Sequence, residues 1–134
     1  MVKKFVLGTQ YQSGNSEVCV DLPKAPNLQP GLAVKIGEDG IPAAGGVYGV
    51  SGAEIYRVNT PVITSGLKVC MQLDGEAPAI GSAATINETS GKISSSGTAT
   101  NGTIASKKVK GIYVKKDGTL EEMDAVLVDM ANGL

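Results

Sequence analysis

Glycine and proline punctuate this chain so often that almost no stretch is left for a helix. Eighteen glycines and six prolines are spread through 134 residues, and one or the other interrupts nearly every window long enough to hold a helix. What lies between the breaks alternates. LAVKI sets Leu32, Val34 and Ile36 against Ala33 and Lys35, and LKVCMQLD sets Leu67, Val69, Met71 and Leu73 against Lys68, Cys70 and Gln72. Near the end, Val126, Val128 and Met130 share a face of DAVLVDM. A period of two is the signature of half-buried strands. The expected fold is therefore all-β, a small β-barrel or β-sandwich of short antiparallel strands. The one helical exception expected is a single turn over residues 120–124.

One strand–turn–strand pattern is written twice. GLAVKIGEDGIPAA (31–44) and GSAATINETSGKIS (81–94) each open with Gly, reach an Ile five residues on, and cross a polar turn containing Gly. A related opening, GLKV, starts at Gly66. Asp39-Gly40, Asp74-Gly75, Asp117-Gly118 and Asn101-Gly102 are dipeptides suited to tight hairpin turns. The last lies in SSSGTATNGT, which has no bulky anchor and is expected to form a loop or hairpin tip. Pro23, Pro26 and Pro30 withhold backbone donors, so DLPKAPNLQP reads as a stiff connector. The expected organisation is an extended N-terminal strand or arm with its Pro-rich connector over 1–29, followed by a β body over 30–134.

Charge and chemistry narrow the function. A net charge of −1 with thinly spread lysines lacks the dense basic surface that phosphate binding needs, so nucleic acid is not an expected partner. No stretch reaches the ~7–15 apolar residues of a signal peptide or the ~18 of a membrane span, so neither export nor membrane insertion is expected. With no histidine, Ser–His–Asp and Cys–His catalysis are absent from the outset. GVSGA at Gly49 misses the nucleophile elbow by a residue, and Gly91-Lys92 lacks the hydroxyl residue and the earlier glycine of a phosphate loop. The acidic runs do not fit a calcium loop, and two cysteines without histidine are a poor zinc set. Adjacent Glu38-Asp39 and Glu121-Glu122 diverge in a strand or turn. VKKDG lacks the Met-Lys-Met tip of biotin carriers. Neither an enzyme, nor a cofactor, nor a bound metal is expected. Cys19 and Cys70 both fall out of phase with the apolar residues around them. They are expected to be free thiols, both open to a thiol reagent.

The order of motifs carries a resemblance. A Pro-rich approach leads to a Gly-Leu-x-Val strand and an acidic Gly turn, then to VYGVSGAEI with its Tyr48-Gly49-Val50 return. A second Gly-Leu-x-Val strand ends in Leu-Asp-Gly, and Gly-Ser-x-x-Thr-Ile leads into Gly91-Lys92-Ile93 before a final Ala-Val-Leu-Val strand. Over about residues 30–130 this resembles the capsid cement, or head decoration, proteins of tailed bacteriophages. The resemblance implies a compact β module assembled in the host bacterial cytoplasm and placed on the outer capsid surface of the virion. There it would bind the major capsid protein and bridge neighbouring capsomers, as a homotrimer or homodimer. It also makes the low-complexity loop and the N-terminal arm contact elements; within the arm, which holds the only Phe and departs from the clean core pattern, Phe5, Leu7 and Tyr11 are the residues expected to touch capsid or partner. The competing view of Phe5 is a core residue of the first strand. The alternative function is a β-rich adhesin or tail-fibre accessory module that binds a host glycan or surface protein through Tyr11, Tyr48, Tyr56 or Tyr113. Less expected is a tail-tube subunit.

Overall fold

The computed structural model describes residues 3–11, 18–53 and 59–130. Their strands are β1 (Lys4–Val6), β2 (Val18–Leu22), β3 (Ala33–Ile36), β4 (Pro42–Ala44), β5 (Gly49–Ser51) and β6 (Thr60–Ser65), then β7 (Val69–Gln72), β8 (Ala83–Ile86), β9 (Ala99–Ile104), β10 (Val109–Val114) and β11 (Leu120–Asp129). The fold is all-β. β2, β6, β5, β3 and β4 form one five-stranded sheet. β1, β10, β11, β9 and β8 form the other, with β7 paired to β11. The two sheets pack as a sandwich and are not closed into a barrel.

Turn chemistry sets the tight hairpins. Asp39 (φ 58) and Gly40 (φ 77) both take the left-handed region between β3 and β4, as a two-residue turn of the primed type requires. At Asp117-Gly118 the Gly118 N–H donates to the Lys115 carbonyl at 2.9 Å, which turns β10 into β11. Two expectations fail. Residues 120–124 are strand rather than helix, because β10 pairs with β11 from Leu120 to Ala125. Asn101-Gly102 lies inside β9 rather than in a turn. A Cβ on Gly102 would run into the Asp129 carbonyl, so this glycine serves a close approach of β9 to β11.

The N-terminal segment is not a separable arm in its described part. β1 pairs in parallel with β10, Lys4 opposite Lys110. The chain then crosses to the outer edge of β7, where Gly8 N–H donates to the Cys70 carbonyl (2.9 Å) and Cys70 N–H to the Thr9 carbonyl (3.1 Å). Residues 3–11 thus stitch β10 to β7.

Most of the fold is one unit written twice. In space the first unit runs β2–β6–β5–β3–β4, and the second runs β7–β11–β9–β8 with Ile93, which bridges Ile86 where β4 pairs with β3. Val18-Cys19-Val20-Asp21-Leu22 corresponds to Val69-Cys70-Met71-Gln72-Leu73, and Ala25-Pro26 to Ala77-Pro78. Gly31, Ala33 and Ile36 correspond to Gly81, Ala83 and Ile86. Hydrogen bonds repeat with them. Gly31 N–H donates to the Ser51 carbonyl (2.8 Å) and Ser51 N–H to that of Leu32 (2.9 Å). Gly81 N–H donates to the Ile104 carbonyl (2.8 Å) and Ile104 N–H to that of Ser82 (2.9 Å). Both opening glycines have positive φ, 79° and 89°, a conformation that costs other residues about 1 kcal/mol or more.

The units stack the same way up. The second turns inward the face carrying Met71, Ala84, Ile86, Ile104, Val126 and Val128. The first turns inward its opposite, cysteine-bearing face, contributing Ala33, Val50 and Ile63 to the same core. Its Val20, Val34 and Ile36 face therefore looks away from the shared core. A second cluster, Leu7, Cys70, Ala125 and Leu127, fills the far side of the β7–β11–β10 region.

Candidate functional site

The three residues expected at a contact surface have separate fates. Leu7 is fully buried, packed among Cys70, Ala125 and Leu127, and a Cβ on Gly111 would meet its side chain at 2.6 Å. A residue without exposed surface cannot touch a capsid, so its assignment as a contact is corrected. Phe5 is half-buried against the same cluster. Tyr11 is 41% exposed, and its ring meets that of Phe5 edge to face at 4.8 Å. Its hydroxyl accepts the Val6 N–H at 2.7 Å. In a parallel pairing that runs through Lys3, Phe5 and Leu7, Val6 N–H points off the sheet. Tyr11 thus caps an edge that another strand would otherwise extend.

The thiols also divide. Neither is in a disulfide; Cys19 is exposed and Cys70 buried. Burial pushes the Cys70 thiol up to about 12, so it is a poor nucleophile. Its phase was legible, but the second cluster on that face was not. The glycan-binding tyrosines of the alternative reading are Tyr11 and Tyr48, both exposed, and half-buried Tyr113; Tyr56 lies outside the described residues.

Charges on the β1–β10–β11 surface are satisfied locally. Lys4 pairs with Glu122 (2.9 Å), Lys110 with Asp124 (3.0 Å) and Lys115 with Glu121 (3.2 Å). The hydrogen bond from Lys110 is the main reason the Asp124 carboxyl sits below its ordinary range. Such exposed pairs contribute little stability each, but they leave a surface already neutralised. Two open grooves border β10: one of about 370 Å³ beside Pro78 and Ile80, another of about 330 Å³ between Pro26, Leu28 and the β10–β11 hairpin.

The β3–β4 end of the first unit is different. It concentrates four of the seven exposed large apolar residues among the described ones: Ile36 (44%), Ile41 (37%), Val47 (55%) and Tyr48 (42%). Tyr48 N–H donates to the Val34 carbonyl at 2.9 Å, which holds the β4–β5 loop along β3. Alternation alone placed Ile36 in the core. Aligning VCVDL with VCMQL would have paired it with Ile86 and raised the question of what covers it. Comparison with protein-family models, curated proteins and solved structures finds no match.

Proposed function

We propose that this chain is a head decoration, or cement, protein of a tailed bacteriophage: a structural module that binds the major capsid protein on the outer surface of the head, bridges neighbouring capsomers and acts without chemistry of its own. The observation that supports it is where the motifs of the resemblance lie. Gly31 to Ile36, Tyr48-Gly49-Val50 and Gly91-Lys92-Ile93 are the opening strand, the return strand and the second hairpin of one glycine-tight sandwich. A Cβ on Gly45 would run into the Glu88 carbonyl and one on Gly91 would lie 2.5 Å from that of Ala33, so the two hairpins lock together. Stiffness of this kind suits a clamp that resists pressure from packaged DNA, and many copies multiply a modest affinity.

Blunted edges favour this reading over a polymerising tube subunit. Gly37 N–H to the Ile41 carbonyl (2.7 Å) and Gly45 N–H to that of Ala33 (2.8 Å) put alternate β4 groups toward β3. Pro42 therefore faces outward, where it offers no N–H. The test is co-sedimentation with emptied, expanded heads. Saturation at a fixed number of copies per capsomer is expected; a chain left in the supernatant at every concentration rejects the reading.

A further inference from the structure

We propose that the groove between the 25–30 loop and the β10–β11 hairpin docks an extended acidic segment of another protein, with an aliphatic side chain against Leu28 and Pro30 and a neighbouring carboxylate on Lys116.

Both walls of this groove are preformed. The loop carries Pro26 and Pro30, whose rings fix the backbone, and four hydrogen bonds hold it. Ala25 N–H donates to Thr60 Oγ1 (2.8 Å) and Leu28 N–H to the Ala25 carbonyl (3.2 Å). Ser51 Oγ donates to the Gln29 carbonyl (2.7 Å) and Gln72 Nε2 to the Pro30 carbonyl (3.1 Å). Gln72 is 1% exposed and its Oε1 has no hydrogen-bond partner; a buried amide thus stays half-satisfied while it holds the Pro30 wall. The opposite wall is the end of β10, Tyr113 and Val114. It is fixed by Lys115 N–H to the Thr119 carbonyl (2.9 Å) and by the turn at Gly118. A site that needs no rearrangement loses little on binding. Because the groove is open, a chain can run through it, with proline, leucine and tyrosine as its apolar bed.

Charge selects the occupant. The groove's own acid, Asp117, is already engaged, accepting from Thr119 N–H (2.9 Å) and Thr119 Oγ1 (2.6 Å). Lys115 is paired with Glu121. Lys116 is exposed, and no ion pair or hydrogen bond among the described residues uses its ammonium or the Tyr113 hydroxyl. What is left unpartnered is an ammonium and a phenol, a pair that suits a carboxylate.

The other groove provides a comparison within the same chain. Its loop has the matching Ala77-Pro78, with Ile80 two residues after the proline as Leu28 is after Pro26. Lys107-Lys108 precede β10 as Lys115-Lys116 follow it. There, however, exposed Glu76 also lines the groove and no ion pair among the described residues uses it. That groove holds an unengaged carboxylate of its own, which repels an acidic segment.

The inference does not rest on head binding. Its test follows backbone amide shifts of the full chain during titration with acetyl-Ala-Leu-Glu-Leu-Ala-amide, and with the same peptide carrying Gln or Lys in place of Glu. The acidic peptide is expected to move the Leu28, Tyr113 and Val114 amides with a Kd of about 1 mM or tighter. The Gln peptide binds about fivefold more weakly, and the Lys peptide more weakly still. Lys116→Glu, at an exposed turn, is expected to weaken the acidic peptide about tenfold and to favour the Lys peptide. Lys107→Glu, in the other groove, leaves both unchanged. Absence of shifts at about 10 mM peptide, shifts centred on the other groove, equal binding of the three peptides, or indifference to Lys116→Glu each overturns the assignment. So does movement of the same amides when the chain is concentrated alone, since that puts a second copy in the groove.

Discussion

Leu7→Ala is the sharpest test of whether residues 3–11 belong to the body. Leu7 has no exposed surface and is enclosed by Gly111, Ala125 and Cys70, with Gly31 at 3.0–3.2 Å from its side chain by the position a Cβ would take. Backbone glycines cannot move in to fill the space. The substitution is expected to cost about 3 kcal/mol, within the span seen when buried Leu is cut to Ala. Cys70 reports the same event. At pH 8 a thiol with a pKa of about 12 is ionised in only about one molecule in ten thousand, and the folded chain buries it, so labelling proceeds through opening. A loss of about 3 kcal/mol raises the opening constant by about two orders of magnitude. The assay is timed labelling with a chromogenic disulfide, alongside urea unfolding, with exposed Cys19 as the internal fast standard. A Cys70 that labels as fast as Cys19 in the unaltered chain refutes the reasoning. So does faster Cys70 labelling in Leu7→Ala with an unmoved urea midpoint, since that describes an arm that opens by itself.

Burial of Cys70 has an alkaline consequence. Its folded pKa lies above the unfolded value of 9.0, so the native state holds the proton longer. Stability is unaffected below about pH 9 and falls at up to ~1.4 kcal/mol per pH unit as pH climbs toward the folded value; Cys70→Ala abolishes this slope in thermal melts. Gly118→Ala and Gly45→Ala separate strain from space. Both positions have positive φ, but a Cβ on Gly118 meets nothing within 4 Å, whereas one on Gly45 strikes Glu88. The first is expected to lower stability by about 1 kcal/mol, and the second to lower it several-fold more by urea unfolding. Tyr11→Phe removes the acceptor for Val6 N–H; at this exposed edge about 0.5–1 kcal/mol is expected, with faster amide exchange at Val6 and little change at the β11 amides.

The fold class was legible because alternation and hairpin dipeptides are local signals. LKVCMQLD and DAVLVDM each show, without help from the rest of the chain, which face joins the larger core, but not that their other face is buried as well. Pairing across distance was not local, and it decided the errors. Nothing near residues 120–124 announces that β10 will pair with them, so glutamates and a methionine looked helical. Nothing beside Gly102 reveals the Asp129 carbonyl that excludes a side chain there. Leu7 looked like an exposed anchor because its enclosure comes from residues 70, 111 and 125. The hairpin repeat was visible at 31–44 and 81–94, but it starts earlier, at the paired Val-Cys strands. Only the matching strand order and hydrogen bonds show that whole units, and their faces, correspond.

The stitching of β1 onto β10 sets an order of events during synthesis. Lys4 finds its neighbour 106 residues later, at Lys110, whereas β2 to β6 pair only with one another. At about 5–20 residues per second, the first unit has time to pair while the second is still being made. Contacts so distant along the chain are slow to form. β1 must therefore wait, unpaired, until β10 has been made. A strand made before β2 is thus among the last to find its neighbour.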